Sequence, residues 1–147
     1  ILNQSKLNKL PQNQIDKFED NIVIEEKIRC INLGYLNQRT KSNPKLMMEM
    51  ITLYLGQVPP LVHTMKQSLA DQNWSLLAAS AHKMIPSFSI VGISSNYENM
   101  AKKIQELATA PEKSEEIKDL IQEIDDVCQQ ACVELNEEFE LIKNDLL

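Results

Sequence analysis

NPKLMMEMITLYLGQVPPLVHTMKQSLADQNWSLLAASAHKMIPSFSIVG, residues 43–92, decides the fold. It opens on Asn43-Pro44, a pair that starts a helix. The asparagine side chain can cap free amides, and the proline's fixed φ suits the first helical position. Met47, Met50, Tyr54, Val58, Leu61, Met65 and Leu69 follow at spacings of three and four, an apolar stripe along one long helix. Pro59 and Pro60 fall inside that helix and are expected to kink it. Asp71 to Asn73 read as a turn and a cap. A second helix then presents Trp74, Leu77, Ala81, Met84, Phe88 and Val91 on one face until Gly92 ends it.

The same reading extends outward. INLGYLNQRT (31–40) is a short helical turn with Leu33 and Leu36 facing inward. Downstream, Ser95 with Glu98 has the S-x-x-E spacing of a capping box, opening a helix with Tyr97, Ala101, Ile104, Leu107 and Ala108 inside. Thr109-Ala110-Pro111 breaks it. A last long helix, about 112–143, turns Ile117, Leu120, Ile121, Ile124, Val127, Cys128, Ala131, Leu135, Phe139 and Ile142 inward. Four long amphipathic helices joined by short loops predict an all-α antiparallel four-helix bundle with an additional N-terminal helical segment. Residues 1–14 are polar, rich in Asn and Gln and interrupted by Pro11, as in a linker. In 15–29, Ile15, Phe18 and Ile22 suit a short helix, whereas NIVI could extend as a strand. The expected organisation is a linker or N-terminal extension over 1–30 and a bundle over 31–147.

Composition agrees. The chain's 147 residues fit one domain with a core that needs no disulfide or metal. Only 3 glycines, with abundant Leu, Met, Glu, Lys and Gln, favour helix over sheet. A net charge of −6 and a pI near 5.0 repel nucleic acid and anionic lipid, and no basic patch offsets them. Neither nucleic acid nor direct membrane contact is expected. Three cysteines, Cys30, Cys128 and Cys132, fit reduced thiols in a cytoplasmic setting. No signal peptide or membrane-length apolar run is visible. The chain opens at Ile1 rather than Met, so a longer parent is expected, and that parent could itself be membrane-bound.

The chemistry concentrates at Ser80-Ala81-His82-Lys83-Met84-Ile85-Pro86-Ser87-Phe88-Ser89. At 100° per residue, His82 falls about 120° from the centre of the apolar face, on the flank open to solvent. Its neighbours there, Ser75, Ala78, Ala79, Pro86 and Ser89, are small or compact. A strip of that kind lets another protein's backbone approach. Transfer between two side chains needs such closeness, with reacting atoms about 3–3.5 Å apart. A neutral imidazole nitrogen is nucleophilic at cytosolic pH. Lys83 is the nearest positive charge in sequence.

These residues also resemble the histidine phosphotransfer (HPt) family. The similarity comprises a leading L-x-x-L at Leu33 to Leu36, an F/Y-x-x-x-x-P at Tyr54 to Pro59, and a turn from Leu69 to Trp74. It ends in the A-H-x-x-K-G-S signature with a glycine ten residues after the histidine, here Ala81, His82, Ile85, Pro86, Ser87 and Gly92. It covers about residues 31–108 closely and the last helix by pattern. Two positions depart: Ile85 stands where the family has Lys, and Pro86 where it has Gly. Pro86 is compact like glycine, and its missing N–H frees the carbonyl of His82.

The resemblance implies a phosphorelay intermediate. His82 would accept a phosphoryl group from a receiver-domain aspartate and pass it to another. Lys83 would screen charge, and Ser89 would hydrogen-bond the ring or phosphate. Ser75, Ala78, Ala79, Ile85, Pro86 and Gly92 would form the docking surface. It implies no cofactor or metal on this domain, with Mg2+ on the partner receiver. The expected partners are receiver domains of response regulators or of a parent hybrid sensor kinase, and the isolated domain is expected to be a monomer. No Gly-rich phosphate loop or kinase box is visible, so the domain is not expected to be an enzyme with its own ATP site. The rival is a helical interaction module without phosphorylation, with Ile85 marking lost activity. His63 reads as structural or solvated, and Cys128 and Cys132, one turn apart, as buried inert thiols. The run Glu134 to Glu140 reads as a solvated face, and Met47, Met48 and Met50 as packing.

Overall fold

The computed structural model describes residues 29–146 and is all-helical over them. The expected helix or strand in 15–29, and all of the 1–30 extension before Arg29, lie outside the described residues. The elements are α1 (Gly34–Thr40), α2 (Pro44–Ala70), α3 (Trp74–Ile90), α4 (Ser95–Leu107), a 3-10 turn (Pro111–Lys113) and α5 (Ser114–Leu146).

Local chemistry sets the boundaries. Lys41 and Ser42 take left-handed φ of 54° and 57°, and their amides return to Gln38 and Asn37 to close α1. Asn43 then caps α2, its Oδ1 accepting from Leu46 N at 3.1 Å, with Pro44 at the first helical position. Asn73 caps α3 in the same way through Leu76 N at 3.1 Å. α2 continues through Pro59 and Pro60 for 27 residues. The capping box expected at Ser95 is displaced by one residue. Ser94 is the N-cap, with Oγ accepting from Asn96 N at 3.2 Å, and Glu98 pairs with Lys102 at 3.1 Å. The left-handed turn at Gly92 (φ 73°) delivers an extended backbone at Ser94 (ψ 139°), so Ser95 is already helical. The last helix starts at Ser114, after the 3-10 turn, and runs three residues beyond the expected end.

α2 packs against α3 and α5, α4 packs against α3 and α5, and α1 packs on α2 and α3. α2 and α5 run in opposite directions. Lys66 and Leu69 lie beside Lys118 and Ile121, whereas Met48 and Thr52 lie beside Phe139. The core joins all five helices through Leu36, Ile51, Met65, Leu77, Met84, Phe88, Ile104, Ile117, Ile124 and Leu135, all fully buried. Each long helix meets two neighbours, which widens its buried face beyond a single stripe. In α2, Ile51 and Val62 are therefore buried, while Met50, Leu61 and Leu69 are half-buried.

With 13 residues, α4 covers only part of the 33-residue α5. Residues 29–31 cover α5 further along. Glu134 accepts from the amides of Cys30 and Ile31 at 3.1 Å and from Gln130 Nε2 at 2.8 Å, while Arg29 reaches Glu138 at 3.3 Å. Glu134 is therefore 7% exposed, which corrects the reading of 134–140 as wholly solvated. Burial alone would raise its carboxyl. The Cys30 amide, Gln130, the Ile31 amide and Arg29 together hold it below the usual range. Asn32 continues this strap, donating its amide to Val91 O at 2.8 Å.

Candidate functional site

α3 carries His82 at its middle, and the imidazole is exposed. The face rotates as the wheel requires, because Leu77, Ala81, Met84 and Phe88 are fully buried on the opposite side. Ser75, Ala79, Lys83, Pro86 and Ser89 are exposed around it. Ala78 and Ile85 are half-buried and packed against the core. The strip of small residues is thus narrower than the wheel suggests, with Ser75, Ala79, Pro86 and Ser89 as its outward members. Ala78 and Ile85 lie only about 80–100° from Leu77, within the face widened by two neighbouring helices.

Ser89 Oγ donates to Pro86 O at 3.4 Å, a long and weak bond, and Ser87 Oγ donates to Met84 O at 2.6 Å. Pro86 offers no N–H, so the His82 carbonyl lacks its usual helical donor. Gly92 sits apart from the imidazole, ten residues and about 15 Å along the helix axis. There it admits the strap, since a Cβ at Gly92 would lie 2.1 Å from Asn32 O. Its close neighbour is the strap, through Asn32.

Other candidate groups gather between α2 and α5. Exposed His63 lines a cavity with Pro59, Lys66, Asp125, Cys128 and Cys132. Lys66 and Asp125 form an ion pair across the two helices, and Gln129 Nε2 donates to Asp125 at 3.1 Å. Burial would raise the Asp125 carboxyl. Hydrogen bonds from Lys66 and Gln129, with the Lys66 charge, hold it below its ordinary value instead. Burial pushes the Cys128 thiol up to about 12 and raises Cys132, so neither forms thiolate readily. Among the described residues no group of three or more His, Cys, Asp or Glu is arranged to hold a metal ion. No helix among them is long and apolar enough to cross a membrane.

Sequence reasoning missed Asp125, Glu134 and a groove between α2 and α3 lined by Gly56, Gln57, Pro60, Leu61, Thr64 and Lys83. Glu134 had a signal: it lies two turns after Val127, on the same helical flank. The groove had none, because it depends on the register of two helices. No family model, curated protein or solved structure matches the chain.

Proposed function

We propose that the domain is a phosphocarrier: His82 takes a phosphoryl group from an aspartyl phosphate on a receiver domain and hands it to a second receiver aspartate. The observation that carries this reading is an exposed imidazole at mid-helix, flanked by exposed Ser75, Ala79 and Pro86 on a bundle whose core lies behind it. The unprotonated ring nitrogen attacks phosphorus. An N–P bond forms, the bond to the aspartyl oxygen breaks, and the carboxylate leaves with the electron pair. The proton on the other ring nitrogen is free to pass to water. Transfer onward is the reverse step with a new carboxylate. The receiver brings Mg2+, and the domain contributes a nucleophile, a cation at Lys83 and an open approach. The working form is a monomeric cytoplasmic domain, linked upstream to a hybrid kinase or acting on a free response regulator. The test is to mix the domain with receivers charged by labelled acetyl phosphate. Acid-labile, base-stable label on the domain is expected, and its absence across a broad receiver panel rejects the reading.

The rival interaction module draws its support from Ile85, an apolar residue packed against the core where the resembled signature has Lys. Ile85→Lys tests what that departure does to the phosphocarrier. The phosphocarrier reading expects a longer phosphohistidine lifetime by several-fold at most, since exposed charge pairs contribute about 0.2–1 kcal/mol. The gain should shrink in high salt. Lost packing should lower stability by roughly 1 kcal/mol, because a lysine stem keeps part of the contact. Half-life and urea midpoint measure both effects, and an unchanged half-life at low salt means that position 85 does not reach the phosphate.

Ala79→Arg is expected to slow transfer from any receiver while leaving stability within about 0.5 kcal/mol, because Ala79 is exposed beside His82. Stopped-flow transfer kinetics measure this. Unaltered rates would put the docking face elsewhere.

A further inference from the structure

Tyr54 is an anomaly on the buried face of α2. It is 5% exposed, and among the described residues its Oη is the buried side-chain polar atom left without a hydrogen-bond partner. Burying an unpaired hydroxyl is costly, and a phenylalanine would fill the same space without that cost. The hydroxyl faces the Cys128 thiol, with Cys132 also near it. A thiol sulfur is a weak acceptor, whereas an ionised acceptor makes a stronger hydrogen bond. The donor on Tyr54 is therefore matched to a sulfur that carries negative charge.

The two thiols are placed to share a ligand. Cys128 and Cys132 stand four residues apart on α5, so their Cβ atoms are about 5–6 Å apart on one face. Both line the cavity of about 410 Å3 between α2 and α5, which has room beside them and exposed His63 on its wall. Metal–thiolate bonds of about 2.3 Å set in a straight line span about 4.6 Å between sulfurs. Side-chain rotation alone brings the two sulfurs to that separation. Burial keeps a proton on each thiol, and a cation that takes the proton's place at sulfur removes the penalty on the anion.

We propose that Cys128 and Cys132 form a site for a soft monovalent metal ion, Cu+ being its biological member, held between two thiolates with Tyr54 Oη donating to the Cys128 sulfur. Thiolate ligands select such an ion over hard cations. Zinc is excluded by number, because it takes four ligands and no third His, Cys, Asp or Glu among the described residues is arranged with this pair. On binding, two S–H bonds break, two metal–sulfur bonds form, and both protons leave through the cavity to water. The copper stays Cu+ throughout. The site lies between α2 and α5, and its occupancy does not depend on the phosphocarrier reading.

The experiment titrates the reduced protein with Cu+ under anaerobic conditions against bicinchoninate, a chromogenic competitor. Wild type is expected to withdraw one equivalent, and X-ray absorption to show two sulfur neighbours at copper. Cys30→Ser behaves as wild type, because its Sγ points to Val127 O at 3.8 Å and does not line the cavity. Cys128→Ser and Cys132→Ser leave the copper with the competitor. Tyr54→Phe weakens binding about tenfold or more, as loss of a group supporting a ligand does. That variant discards an unpaired hydroxyl, so its metal-free form should melt no lower than wild type. Circular dichroism establishes that each variant is folded, and Cys128→Ala repeats the test should serine disturb the core. No withdrawal by wild type, nitrogen neighbours in place of sulfur, or undiminished binding by a folded Cys128 or Cys132 variant overturns the site. An unchanged affinity in Tyr54→Phe overturns the part given to Tyr54.

Discussion

His82→Gln is expected to accept no phosphoryl group from an aspartyl-phosphate donor, while its unfolding free energy stays within about 0.5 kcal/mol of wild type. The side chain is exposed, and the core residues of α3 lie on the opposite face, so its replacement opens no cavity. Glutamine keeps a polar side chain of similar reach but has no ring nitrogen to attack phosphorus. The loss is therefore all-or-none. Circular dichroism melts establish the fold, and label transfer establishes the chemistry. A folded variant that still takes label would mean that His63, or a group outside α3, is the acceptor.

Gly92→Ala is expected to give the largest loss of stability, about 2–4 kcal/mol. Part is backbone strain, because φ is 73° there and a left-handed conformation costs an L residue about 1–3 kcal/mol. Part is displacement, since the new Cβ would fall 2.1 Å from Asn32 O. Moving Asn32 breaks its bond to Val91 O and pulls on the amides held by Glu134, and each lost bond costs about 0.5–1.5 kcal/mol. Urea denaturation measures the total, and faster proteolysis near residues 29–33 would locate the damage in the strap. A variant as stable as wild type would show that the strap does not contribute. In the folded fraction, His82 should still be labelled, because Gly92 lies about 15 Å away along the helix axis.

Much of this architecture was legible in residues 43–92. Asn43-Pro44 and Asn73 are local signals, and local signals survive tertiary context; both caps form where the sequence places them. His82 was legible as exposed for the same reason, since Leu77, Ala81, Met84 and Phe88 fix the rotation of α3. What depends on a second element was less visible. Ser95, with Glu98 three residues on, reads as the cap in sequence, yet Ser94 takes it, and the choice belongs to the turn at Gly92. Glu134 resembles its acidic neighbours until residues 29–31 bring two amides to it.

The most direct test of the central claim is to charge the domain from a receiver's aspartyl phosphate and locate the phosphorus. The account predicts a phosphoramidate resonance in 31P NMR, lost in acid and kept in base. It also predicts a single phosphorylated peptide, the one containing His82, that returns to unmodified mass when a second receiver is added. Phosphate found on any other residue, or none when several receivers have been tried, would contradict it.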